Sequence, residues 1–83
     1  MSYPSRAELA AEVRAEMARQ RVTPSQLAEA TGISRATLGR RLSGQLAFTV
    51  DELALISTHL QVAPSRFIAA AVVADNNEEV TRT

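Results

Sequence analysis

The fold turns on residues 23–44, TPSQLAEATGISRATLGRRLSG, in which two helix starts lie close together. Thr23 is followed by Pro24 and then, three residues beyond the threonine, by Gln26. A threonine hydroxyl accepts from the N–H three residues on and the glutamine side chain returns the bond. Proline fits the first helical position, where no N–H is needed. The spacing predicts a helix from Pro24 to about Ala30. Gly32 supplies a left-handed residue that ends it. Ile33 points inward, and Ser34 caps a further helix predicted over Arg35–Leu42 and closed by Gly44. So short a connection brings the two helices together at a steep angle, a helix-turn-helix. Ala28 is small where they cross, and Leu27, Ile33 and Leu38 are apolar where both meet a core.

Working outward, Ser5 and Glu8 have the same capping spacing. Leu9, Val13 and Met17 recur every fourth residue, with Ala10 beside them, while Arg6, Glu12, Arg14, Glu16 and Arg19 fall largely on other faces. This is an amphipathic helix reaching about Arg21. On the other side, QLAF at 45–48 reads as a loop. Thr49 and Glu52 cap a fourth helix that carries Leu53, Ile56 and Leu60 at core spacing. Pro64 opens a fifth helix with Phe67 and Ile68, and DNNEEVTRT over 75–83 reads as a polar tail, expected to be flexible. The expectation is an all-α, five-helix domain over 1–74.

Composition agrees with that class and removes others. At 83 residues the chain holds one small domain, and with no cysteine neither disulfides nor thiolate metal sites supply stability. Its apolar content of 46% with aromatics at only 4% is Ala- and Leu-rich, which suits helices. The longest apolar run, FIAAAVVA from Phe67 to Ala74, is far short of the roughly 20 residues a bilayer span needs. Nothing at the start resembles a signal peptide, so the expected location is cytoplasmic. His59 is the single histidine and has no partner at metal-ligand spacing, so no metal and no cofactor are expected. Asp51-Glu52 and Glu78-Glu79 are adjacent, point about 100° apart on a helix and have no accompanying nucleophile; helix-start electrostatics explains the first pair. No catalytic residue is assigned.

Net charge is zero, yet Arg35, Arg40 and Arg41 cluster within 32–44 without an acid, while Asp75, Glu78 and Glu79 gather in the tail. A run of charge is usually only a solvated face. Here, at about 100° per residue, positions 35, 36, 39, 40 and 43 share one side and read Arg, Ala, Gly, Arg, Ser. That side has two cations, no large apolar group and no acid, which suits a polar, anionic surface approaching closely.

The stretch 23–44 resembles the helix-turn-helix of lambda-repressor-like (Cro/XRE-type) regulators, and FTVDELALISTHLQVAPSRF over 48–67 is similar to the two helices that follow it in that family. The resemblance covers about residues 9–70. It implies a DNA-binding domain whose third helix enters the major groove of double-stranded DNA. An arginine fork matches guanine O6 and N7, which makes Arg35 and Arg40 base-reading candidates. Ala36 offers a methyl for a thymine methyl, and Gly39 lets the helix lie deeper. Pro24, Ser25, Gln26, Ser34, Thr37 and Ser43 are suited to phosphates through hydroxyls or helix-start N–H groups. Arg41 stands where many relatives carry an apolar residue. Either it lies at the core edge with its head toward a phosphate, or the helix is rotated slightly.

The function implied is a transcriptional regulator, of the phage-immunity or Cro-like repressor kind, acting by occupancy. A single domain offers no obvious pocket, and no small-molecule ligand is expected. Ile68, Val72 and Val73 on the apolar fifth helix either cap the core or meet a second copy or another partner. Two other classes fit the residues: an antitoxin-like interaction module using that helix, and a recombination accessory factor that bends DNA. Tyr3 lies in an arm before the first helix.

Overall fold

The computed structural model describes residues 5–68 and is all helical there, with no strand among the described residues. The helices are α1 (Arg6–Gln20), α2 (Pro24–Thr31), α3 (Arg35–Leu42), α4 (Val50–Leu60) and α5, which begins at 64 and reaches the last described residue, 68. The expected domain boundary at 74, the tail over 75–83, Tyr3, Val72 and Val73 lie outside the described residues.

The helix starts follow the sequence signals residue by residue. Ser5–Glu8, Thr23–Gln26 and Thr49–Glu52 each form the reciprocal capping box, and Ser34 Oγ accepts from the Thr37 N–H at 3.1 Å. Gly32, at φ 77°, closes α2 and donates its N–H to Ala28 O at 2.9 Å. Gly44, at φ 84°, closes α3 from the position after the cap residue Ser43, which is in the right-handed region. Its N–H is on Arg41 O and that of Gln45 on Arg40 O, the paired bonds of a Schellman motif.

One core joins the helices. α2 packs on α3 and α4, and α1 packs across α3 and α4. Val13 and Met17 meet Leu27, Leu38, Leu42, Ile56 and Leu60, all buried. Each large aliphatic side chain of this set contributes about 1.5–3 kcal/mol by leaving water. One core expectation is corrected. Leu9 is only half-buried, and the neighbouring Ala10 occupies the buried position. Phe48, inside the segment read as loop, is buried, because the loop folds back over the core and hides its one aromatic ring.

Glu16 departs furthest from its expected polar face. It is 5% exposed. Its carboxylate accepts from Arg19 Nη2 at 2.9 Å and Gln20 Nε2 at 2.8 Å, and Arg66 Nη2 lies 3.6 Å away. Gln20 also donates to Leu60 O at 2.8 Å, so the acid sits inside a polar seam joining α1 to the end of α4 and to α5. Gln20 and then Arg19, by hydrogen bonding, hold the Glu16 carboxyl below its ordinary range.

Candidate nucleic-acid interface

The face expected to carry function is built by α3 and the start of α2. Leu38 and Leu42 are buried, which fixes the rotation of α3 and turns Arg35, Ala36, Arg40 and Ser43 outward as exposed residues, with Gly39 half-buried between them. Among the described residues neither Arg35 nor Arg40 forms an ion pair. Among the described residues the one polar contact of the Arg35 side chain is a long hydrogen bond from its Nε to Ser25 Oγ, 3.4 Å, across the α2–α3 angle. Arg40 lies in the last turn of α3, where a cation also complements the helix dipole. At Gly39 an added Cβ would meet only Arg35 Nη1, at 3.7 Å, so the glycine is not forced by packing.

Several phosphate candidates are committed elsewhere. Arg41 pairs with an acid of the protein: its Nε lies 2.9 Å from Glu52 Oε1, with both side chains largely covered. Its Nε is held toward α4 by the Glu52 carboxylate at the start of that helix. The N–H is not aimed at the oxygen, so the attraction is ionic and not a formed hydrogen bond. The helix therefore keeps its rotation, with Arg41 at the core edge. At the start of α2, Pro24 has no N–H and that of Gln26 is taken by Thr23 Oγ1 at 3.1 Å, leaving Ser25 with the open backbone donor. Gln26 Oε1 accepts from the Thr23 N–H at 2.9 Å, and Ser43 gives its hydroxyl proton to Arg40 O at 3.1 Å. Ser34 caps α3 but keeps its hydroxyl proton, and Thr37 is half-buried.

A groove of about 580 Å³ lies between α1, the start of α2 and the flank of α3. Ala18 and Gly39, on its two walls, bring almost no bulk. Arg14, expected to be a solvated residue of α1, stands at this groove and donates its Nη1 to Leu42 O, satisfying a carbonyl at the end of α3. In the sequence nothing distinguishes Arg14 from the other charges of α1, since its partner is a backbone atom on another helix.

Comparison with known proteins agrees with this geometry. A helix-turn-helix family model of the Cro/C1 type matches residues 11–67, more than half of the chain. No curated protein sequence matches. Two crystal structures of the clp gene regulator ClgR from Corynebacterium glutamicum are similar in fold. One has a TM-score of 0.81 at 23% identity, covering 93% of this chain and 82% of that one. The other has a TM-score of 0.77 at 26% identity, covering 83% and 90% respectively. With α2 and α3 meeting at Gly32 beneath an open arginine face, and the matching segment spanning that whole unit, the chain belongs to the lambda-repressor-like, Cro/C1-type helix-turn-helix family of DNA-binding domains.

Proposed function

We propose that this protein is a sequence-specific regulator of transcription that inserts α3 into the major groove of double-stranded DNA and represses, in the Cro or phage-immunity manner, by occupying its site. The observation that carries the reading is the outward face of α3: Arg35 and Arg40 are exposed and without carboxylate partners among the described residues, beside two positions, Ala36 and Gly39, that hold the surface thin. The guanidinium forks supply base readout, and the shallow surface lets the helix approach the base edges. Ser25 and Ser34 flank that face with open donors for the phosphates that set register. The similarity to ClgR structures described as gene regulators supports regulation as the outcome of binding.

Pairing of two copies fits the same reading. Ile68, the last described residue, is 41% exposed, and an apolar residue there suits a second copy of α5, giving two half-sites about one helical turn apart. Selection of bound sequences from random duplexes tests both parts. The expected result is an enriched motif containing G·C pairs, repeated as a palindrome at about 10 base-pair spacing. Recovery of unenriched sequence overturns the specific reading, and a single unrepeated motif overturns the pairing.

A further inference from the structure

We infer that the groove between α1 and α3 seats the sugar-phosphate backbone of one DNA strand, with Arg14 as a phosphate contact outside the helix-turn-helix itself. This rests on the DNA-binding reading and extends it to α1. The placement follows from the rotation of α3. At about 100° per residue, Leu42, Arg35, Gly39 and Ser43 follow one another round the helix, from the core flank to the outward face. All four line the groove. Its open side is therefore continuous with the face proposed to enter the major groove, and a strand bordering that groove passes over it.

The chemistry of the walls suits such a strand. Met17, Val22 and Leu42 form an apolar floor, and Arg14 and Arg35 are the charged members of the lining; among the described residues no carboxylate lines it. A deoxyribose has an apolar face for the floor, and its phosphates need cations at the rim. Arg14 meets that need in a preset position. Its Nη1 bond to Leu42 O fixes the side chain against α3, and the other guanidinium N–H groups remain for a phosphate. Arg14 is exposed and forms no ion pair among the described residues. A neutralised phosphate releases counterions whatever the base sequence, so the contribution of Arg14 is one of affinity and salt dependence and not of base preference.

The test measures the affinity of the full chain for the selected duplex and for a random-sequence duplex of equal length, across a series of salt concentrations. Arg14→Gln is expected to weaken both complexes by a similar factor and to reduce the magnitude of the log K against log [salt] slope by about 0.9. Arg14→Lys, which keeps the charge, is expected to keep the parent slope. Ala18→Glu, a substitution at an exposed position on the groove wall, is expected to weaken both complexes as well. A merely structural role for the bond to Leu42 O would lower melting temperature in Arg14→Gln and leave the slope where it was. An unchanged slope in Arg14→Gln, in a setting where the parent binds with a measurable slope, overturns the inference while leaving the regulator reading in place. A parent chain that binds neither duplex overturns both. Equal affinity of Ala18→Glu and parent would also overturn it, by showing that no phosphate passes this wall.

Discussion

Oε1 of Glu52 accepts the Thr49 N–H at 2.9 Å and lies 2.9 Å from Arg41 Nε, so the carboxylate that closes the α4 capping box also draws the neighbouring cation of α3 away from the outward face. Two adjacent arginines thereby differ: Arg40 is exposed and forms no ion pair among the described residues, whereas Arg41 joins α3 to α4.

The division is measurable. Arg41→Ala is expected to lower stability by about 1 kcal/mol, the scale of a half-covered ion pair. In a domain of this size that is a melting temperature roughly 4–8 °C lower. Its salt slope for DNA binding should match the parent. Arg40→Ala is expected to do the opposite, changing melting temperature little while weakening the selected duplex about tenfold to a hundredfold more than a random one. Equal losses on both duplexes would make Arg40 a backbone contact.

Much of this was legible in the sequence, because the deciding interactions are local. Capping boxes, the Gly32 turn and the four-residue apolar spacing all link residues within one turn of helix, so the order of residues encodes them directly. Long-range partners were not legible. Glu16 looks like any charge on an amphipathic helix until Gln20, Arg19 and Arg66 gather round it. Arg41 needed an acid eleven residues away, on another helix. Arg14 bonds to a carbonyl, which no residue type announces. Phe48 shows the same limit for apolar contacts, since a loop carries no periodicity from which to read an inward direction.

Gly39 separates packing from approach. Its added Cβ would meet nothing closer than Arg35 Nη1 at 3.7 Å, so Gly39→Ala should stabilise α3 by about 1 kcal/mol through helix propensity alone. Its DNA affinity should stay within a few-fold of the parent. Gly39→Leu should fold as well but bind the selected duplex at least about tenfold more weakly, because the side chain stands between α3 and the base edges. Undiminished binding by Gly39→Leu in an electrophoretic shift assay would show that α3 does not lie close to the groove floor.

Two glycines hold positive φ, and their surroundings rank the damage. Gly32 has nothing within 4 Å of an added Cβ, so Gly32→Ala bears only the left-handed conformation, about 1–2 kcal/mol. Gly44 has Ala7 Cα at 3.2 Å from the same point, a backbone neighbour on α1 that cannot swing aside. Gly44→Ala is therefore expected to cost about 1 kcal/mol more than Gly32→Ala, read as a lower denaturant midpoint at unchanged m-value. Equal midpoints would show that the start of α1 yields easily.

Acid stability should depend on Glu16. Gln20 and Arg19 hydrogen bonds, with the charges of Arg19 and Arg66, favour its ionised form in the folded protein and hold its carboxyl below the ordinary 4.5. A carboxyl lowered on folding adds stability that is fully present above the unfolded value and is lost as pH falls through the lower, folded value. The parent is therefore expected to be level in this respect above about pH 5 and to lose melting temperature below it as the seam between α1, α4 and α5 takes up a proton. Glu16→Gln removes the titrating group while keeping an acceptor for Arg19. It should melt lower than the parent at neutral pH, and the gap between the two should narrow on acidification. A gap that stays constant from neutral pH to pH 3 would show that the Glu16 contacts do not favour the ionised form and that its burial is a matter of shape alone.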